Sequence, residues 1–425
     1  MTFPKAQKKT LKNGLRVIAV PMKYASTVTV QVFVEVGSHY EEKRLNGLSH
    51  FLEHMSFKGT PKRPTAHMIT TELDSLGAQN NAYTGDVMTS YYAKGRSEHF
   101  EKLFDIVADL FLNPLLPAPE LEKERGVIIE EINMYEDMPQ RMIHDVLEKL
   151  LYGDQAAGRP ISGPKENIRR FTRNDFVKYR DAHYVPSKTI MVVAGGVSAA
   201  KIFATSKKYF GKVPAGRRIT KPKIKEAQKQ PEVLHQEKKT GQSHLAFGFR
   251  GFGATDRRVI SATILAAILG KGLSSRLFQK LREEMGVCYY ARSGFDSSTD
   301  VGAFKITAGV DTARLKEVVE VIMEEVRKIL DKGVTSQELA KAKEMLIGSI
   351  EMGLESSDAF AEWYGSDEIM RKKLETPEQA IAHIRKVTLK DIDKVARDLF
   401  KEKGTNLAII GPKADSIKLK KLLKI

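Results

Sequence analysis

The chain has 425 residues, which suggests two to three domains. Its 42% hydrophobic content belongs to a folded protein rather than a disordered one. The only cysteine is Cys288, which excludes an internal disulfide and fits a reducing compartment. No apolar run approaches the ~18 residues of a membrane span, and Met1 to Lys5 lacks the apolar core of a secretory signal. A cytoplasmic chain with no membrane partner is therefore expected. The net charge of +16 invites a nucleic-acid reading. However, the lysines interleave with glutamates along helix faces, as from Glu317 to Lys332, and no basic cluster alternates with aromatics. A solvated basic surface without a nucleic-acid partner is expected.

In chain order, Leu15 to Val20 and Val28 to Val36 are rich in β-branched residues and read as strands, the first preceded by an Asn13-Gly14 turn. Gly47-Leu48-Ser49-His50-Phe51-Leu52-Glu53-His54-Met55 follows and reads H-x-x-E-H. On a helix, His50, Glu53 and His54 share one face, while Leu48, Phe51, Leu52 and Met55 form the apolar opposite face. Asn46 or Ser49 is the expected start and Gly59 the expected stop. Ala66 to Leu76 reads as a helix closed by Gly77, and 79–84 with 89–93 as a strand pair. Helices are expected over His99 to Leu112, Pro119 to Tyr135 and Met142 to Leu151. The Gly- and Pro-rich loop 153–163 reads as a surface feature near a ligand. A capped helix begins at Thr172, a strand covers 189–194, and a helix covers Val197 to Phe210.

Periodicity then vanishes from Gly211 to Pro231, which marks a linker. Beyond it come strands over 245–250, 302–310 and 406–410. Helices follow over 259–281 (interrupted by Gly270-Lys271-Gly272), 314–330 and 335–352, and one begins at Thr388. Leu121 to Ile132 aligns with Leu339 to Ile350, and the start at Thr172 with that at Thr388, at nearly one offset. In that register Glu124 faces Ala342 and Glu131 faces Ser349. The expected fold is α+β. It has two similar domains, 1–212 and 232–425, each a mostly antiparallel sheet packed with helices, joined by a linker at 213–231. Only the first domain keeps a metal site.

Two imidazoles one helical turn apart can hold one Zn²⁺, and the carboxylate between them stands where it can take a proton from water that the metal acidifies. A catalytic zinc site needs a third protein ligand. The candidates lie on the helix from Pro119 to Tyr135: Glu124 and Glu131, seven apart on one stripe, and Glu130.

These segments resemble a known family. H-x-x-E-H extended to Thr60, Asn81-Ala82-Tyr83-Thr84 with Tyr91-Tyr92, and Glu124-Arg125-Gly126-Val127-Ile128-Ile129-Glu130-Glu131 are similar to the pitrilysin/insulinase (inverted zincin) zinc metallopeptidases. They resemble in particular the short-chain branch related to the mitochondrial processing peptidase β-subunit. The resemblance implies His50, His54 and Glu131 as ligands to one Zn²⁺ per chain, Glu53 as general base and Glu124 as auxiliary acid. It implies Asn81, Ala82 and Tyr83 as the edge where an extended peptide adds as a strand. Leu281 to Tyr289 resembles the segment whose Arg and Tyr hold the substrate and steady the oxyanion, here Arg282 and Tyr289. The implied activity is endopeptidase cleavage of peptides or unfolded segments in a clamshell of which this chain supplies half. The implied partner is a second copy or a zinc-less sister chain. A non-catalytic scaffold or processing subunit of the same fold is the alternative.

Overall fold

The computed structural model describes residues 3–425. The strands are β1 (Gln7–Thr10), β2 (Arg16–Pro21), β3 (Thr27–Val34), β4 (Gln79–Thr84), β5 (Thr89–Arg96), β6 (Thr189–Gly195), β7 (Glu232–Glu237), β8 (Ser243–Arg250), β9 (Cys288–Ser297), β10 (Gly302–Val310) and β11 (Thr405–Gly411). The helices of the first half are α1 (Leu48–Met55), α2 (Ala66–Ser75), α3 (Phe100–Leu112), α4 (Ala118–Glu136), α5 (Pro139–Tyr152), α6 (Lys165–Arg170), α7 (Arg173–His183) and α8 (Ala199–Phe210). Those of the second half are α9 (Arg258–Gly270), α10 (Arg276–Phe278), α11 (Leu315–Lys332), α12 (Ser336–Gly353), α13 (Ser357–Arg371), α14 (Pro377–Lys386), α15 (Leu389–Leu399) and α16 (Ser416–Leu422). No helix among the described residues is long and apolar enough to cross a membrane.

The chain forms two compact units. The first comprises residues up to Ile132, Pro160–Pro222 and Glu351–Glu378. Its six-stranded sheet runs β1-β2-β6-β3-β5-β4, antiparallel throughout except for β2 beside β6. The second comprises Asn133–Arg159, Lys223–Ile350 and Gln379–Ile425. Its sheet runs β7-β11-β8-β10-β9, again with one parallel pair, β7 and β11. Strand for strand, β2-β6-β3-β5-β4 and β7-β11-β8-β10-β9 have the same order and sense. The helices repeat as well: α4 to α8 recur as α12 to α16, and α7 and α15 open with the same capping box, Thr172 with Asp175 and Thr388 with Asp391. The fold is α+β with two like units.

Each half of the chain lends one helix to the other half's sheet. α5 packs on β8, β11 and β7, whereas α13 packs on β3, β6 and β2. The compact units are discontinuous along the chain because these two helices cross over, whereas the expected domains 1–212 and 232–425 are continuous. Sequence periodicity leaves β1, α6, β7, β9, α13, α14 and α16 unassigned. β1 and β7 are short, polar edge strands, and α13 carries a glycine in its middle turn.

In the first unit, alternation along the strands sorts the side chains onto two faces. Val17, Val30, Val32, Met191 and Val193 join Phe51, Leu52, Phe104 and Phe111 in one core. Ile18, Val20, Phe33, Ile190 and Val192 are also fully buried, and their alternate positions point to the face that α13 covers. There Gly365 lets the helix sit directly on Phe33. A Cβ at Gly365 would lie 2.1 Å from the ring's Cε2.

Gly365→Leu is expected to cost about 2–3 kcal/mol through overpacking, lowering Tm by about 5–10 °C. Gly126→Ala, in α4 with nothing within 4 Å of the new Cβ, is expected to raise Tm by about 2 °C. Calorimetry of both variants checks the tight docking of α13 against a control on an open helix face.

Candidate metal centre

α1 begins at Gly47, whose backbone is left-handed (φ 99°). A Cβ there would meet Ser162 O at 2.6 Å, so both conformation and space call for glycine. Neither Asn46 nor Ser49 caps the helix. The carboxylate of Glu41 does so, accepting from Gly47 N (2.8 Å) and Ser49 N (2.6 Å). Asn46 instead donates to Glu41 (3.1 Å) and to Pro160 O (3.0 Å), which ties the 160–163 loop to the helix start. The Ser49 hydroxyl bonds Tyr179 Oη at 2.8 Å. The helix ends at Met55, before Gly59, which turns the chain further on with φ 130°. Leu48, Phe51, Leu52 and Met55 are fully buried, worth on the order of 6–12 kcal/mol together. This face anchors α1, and the opposite face carries the polar triad.

α4 docks through Leu121, Ile128 and Ile132, which are buried, and this brings Glu124 and Glu131 toward α1. His50 Nε2 and His54 Nε2 lie 3.3 Å apart, and Glu131 Oε2 lies 3.6 Å from each. Ligands about 2.0–2.1 Å from a tetrahedral zinc are about 3.3–3.4 Å from one another, so the three donors fit such an ion. Among the described residues, His50, His54 and Glu131 are the one group of three donors close enough to share a metal. Glu130, the neighbouring alternative, is exposed and outside this group.

The surroundings prepare each donor. Burial, and then the neighbouring His54, push the His50 imidazole down to about 4, so its ring is neutral at pH 7. Burial also depresses His54, but the hydrogen bond that it donates to Glu124 and the charges of Glu53, Glu124 and Glu131 outweigh it and raise its pKa. Glu124 Oε1 stands 2.9 Å from His54 Nδ1, which puts the proton on Nδ1 and leaves Nε2 facing the site. Lys58 holds the other Glu124 oxygen at 2.5 Å. Burial would raise the Glu124 carboxyl, yet the bonds from His54 and Lys58 lower it. Glu53 takes no part in the ligand triangle. Its Oε2 accepts from the Thr84 hydroxyl at 2.7 Å, and burial raises its pKa.

Thr84 ends β4, an edge strand paired only with β5 among the described residues. Asn81, Ala82 and Tyr83 all lie in β4. Ala82 N is met by Asn81 Oδ1 (2.9 Å), while the Tyr83 hydroxyl turns to α13 and donates to Glu362 at 2.7 Å. Arg282 and Tyr289 belong to the second unit. Arg282 sits in a π-helical turn, Gln279–Glu284, a rare geometry that often marks functional sites, and donates to Cys288 O at 2.9 Å. Its guanidinium lies 5.6 Å from the Tyr289 ring, and Tyr289 is 73% exposed at the start of β9, the topological counterpart of β4. Sequence reasoning misses Glu41, Lys58, Thr84 and Glu362. Lys58 alone carries a local signal, standing one turn beyond His54.

Glu41→Ala leaves two buried helix-start N–H groups without an acceptor. It is expected to cost about 2–4 kcal/mol, read as a lower midpoint in urea unfolding, whereas Glu41→Gln keeps part of the cap and costs less.

Residues 16–165 match the family described as "Insulinase (Peptidase family M16)", and residues 170–346 match "Peptidase M16 inactive domain". An uncharacterized zinc protease of Bacillus subtilis, YmxG, is 35% identical over 403 residues, covering 95% of this chain and 97% of the relative. Another uncharacterized zinc protease, from Streptomyces coelicolor, is 32% identical over 419 residues, covering 96% and 89%. The fold is shared with a Helicobacter pylori protease (TM-score 0.89, 24% identity, 96% of this chain and 100% of that one). It is shared too with a peptidase M16 inactive domain from Pseudomonas fluorescens (TM-score 0.90, 18% identity, 97% and 99%). The chain belongs to peptidase family M16, the insulinase family.

Proposed function

We propose that this chain is a zinc-dependent endopeptidase that takes peptides and unfolded segments as extended strands. The observation that carries the reading is the triangle of His50, His54 and Glu131 donors, 3.3–3.6 Å on each side, with the buried Glu53 on the same helix. Family membership and the naming of relatives as zinc proteases support it.

His50, His54 and Glu131 would hold one Zn²⁺ per chain, with Glu124 and Lys58 behind His54. Zinc at this position supplies Lewis acidity toward a carbonyl and acidifies water. Glu53 takes a proton from the attacking water as its oxygen bonds to the scissile carbonyl carbon. When the C–N bond breaks, Glu53 returns that proton to the leaving amine. Burial raises the Glu53 carboxyl toward the range in which it can serve both transfers, and the Thr84 hydroxyl fixes its orientation.

The two edges of the first sheet differ in a way that favours peptide docking on β4. β1 presents Lys8 and Lys9, the usual guard against strand addition. β4 reads Gln-Asn-Asn-Ala-Tyr-Thr, without charge or proline, and its first three residues are exposed. Backbone pairing there holds many sequences alike and presents the peptide beside Glu53. Arg282 and Tyr289, a fixed cation and an exposed phenol, suit the stabilisation of an oxyanion.

Purified protein is expected to carry about one zinc per chain and to cleave a quenched fluorescent peptide library. Glu53→Gln is expected to keep the metal and lose at least about 10³-fold in kcat. Metal and peptide binding without cleavage in either protein would point to a missing partner chain, and absence of metal would overturn the reading. Lys58→Met, which frees one oxygen of Glu124, is expected to weaken zinc binding by about 10–100-fold in a chelator competition assay.

A further inference from the structure

The proposed docking strand is held from behind by a helix that the other half of the chain supplies. Along β4, alternate side chains face opposite ways, so Tyr83 and Thr84 reach different partners. Thr84 bonds Glu53 on α1 at 2.7 Å, and Tyr83 bonds Glu362 on α13 at 2.7 Å. The Glu362 carboxylate is shared further. Its Oε2 accepts from Gln31 Nε2 in β3 (2.9 Å), and its Oε1 accepts from Ser366 Oγ (2.5 Å). Gln31 Nε2 also reaches Ser90 Oγ in β5 at 2.9 Å. One carboxylate therefore ties the last strand of the sheet to its third-from-last strand. Lys94 of β5 adds a second tie to α13 through Asp358 at 2.7 Å. β4 needs such a tie, because an edge strand has ladder bonds on one side only.

We propose that Glu362 is a positioning residue for substrate: through Tyr83 it sets the position of the free edge of β4 on which the peptide backbone pairs. The inference rests on the peptidase reading above and extends it to a residue more than 300 positions from the H-x-x-E-H helix, in the half of the chain without a metal site. Glu362 touches neither the metal donors nor Glu53. Thr84 keeps its own register with Thr89 of β5, so the general base stays in place when Glu362 is lost. The effect therefore falls on peptide binding.

The test uses zinc-loaded full-length protein and a quenched fluorescent peptide selected from the library. Glu362→Ala and Tyr83→Phe are each expected to raise KM about tenfold while kcat stays within about threefold. The double variant should resemble either single one, because both remove the same tie. Glu362→Gln, which can still accept from Tyr83, should recover most of the loss. Direct binding of a fluorescein-labelled uncleaved peptide to the Glu53→Gln background should weaken in parallel. A purely structural role lowers the folded fraction, so it would reduce kcat and Tm and leave KM unchanged. That result, or additive effects in the double variant, overturns the proposal. A zinc-loaded wild type that neither binds nor cleaves peptides overturns the peptidase reading and this inference together. A cleaving wild type whose variants keep its KM overturns this inference alone.

Discussion

Three electron-pair donors held within 3.6 Å of one another repel unless something positive lies between them. Much of the first unit serves to hold that arrangement. The apolar face of α1 is sunk in the core, and its N-terminus is bound by a buried carboxylate rather than by water. α4 is docked by three aliphatic side chains along its length, so the backbone that carries Glu131 cannot move away without exposing Ile128 and Ile132. A cation resolves the repulsion and a rigid scaffold preserves it. The pair suits the metal site proposed above, whose geometry would then be kept before a metal arrives.

The neighbours of the triangle divide the electrostatic work. Glu124 sits between a cation and an imidazole, and both keep it ionised against its own burial. Glu53 accepts from the Thr84 hydroxyl, and burial dominates over that bond and the nearby His54. Two carboxylates near one site are thus pushed in opposite directions, as the proposed roles of fixed anchor and proton carrier require. This separation of roles comes from partners and solvent exposure, since the two side chains are chemically identical.

How much of this was legible in the sequence follows from where each signal resides. The H-x-x-E-H helix, its apolar face and the helix carrying Glu124 and Glu131 are local patterns, readable because an α-helix repeats every few residues. The duplication was legible from the paired capping sequences at Thr172 and Thr388, since a capping box is written in four consecutive residues. What sets α1 in place was not legible. Glu41 acts through two backbone N–H groups beyond a turn, and no side-chain period announces that. Nor was the crossing of α5 and α13 onto each other's sheets, which involves strands far away in sequence. α13 was hidden further by Gly365, which reads as a helix breaker and in fact marks the closest approach of helix to sheet. Glu362 and Tyr83 show the same limit, since a hydrogen bond spanning 279 positions leaves no trace in either neighbourhood.

The crossing of α13 also bears on how the protein can be made. A ribosome that has finished β6 has produced every strand of the first sheet, yet one face of that sheet still lacks its cover. Ile18, Val20, Phe33, Ile190 and Val192 stay uncovered until residues 357–371 emerge. Most of the second repeat must be synthesised in between. The nascent chain therefore carries an apolar surface through a long stretch of translation, and the first repeat is not a self-sufficient folding module even though it holds all three donors of the proposed metal site. Cutting the chain in the linker would separate a sheet from its own lid.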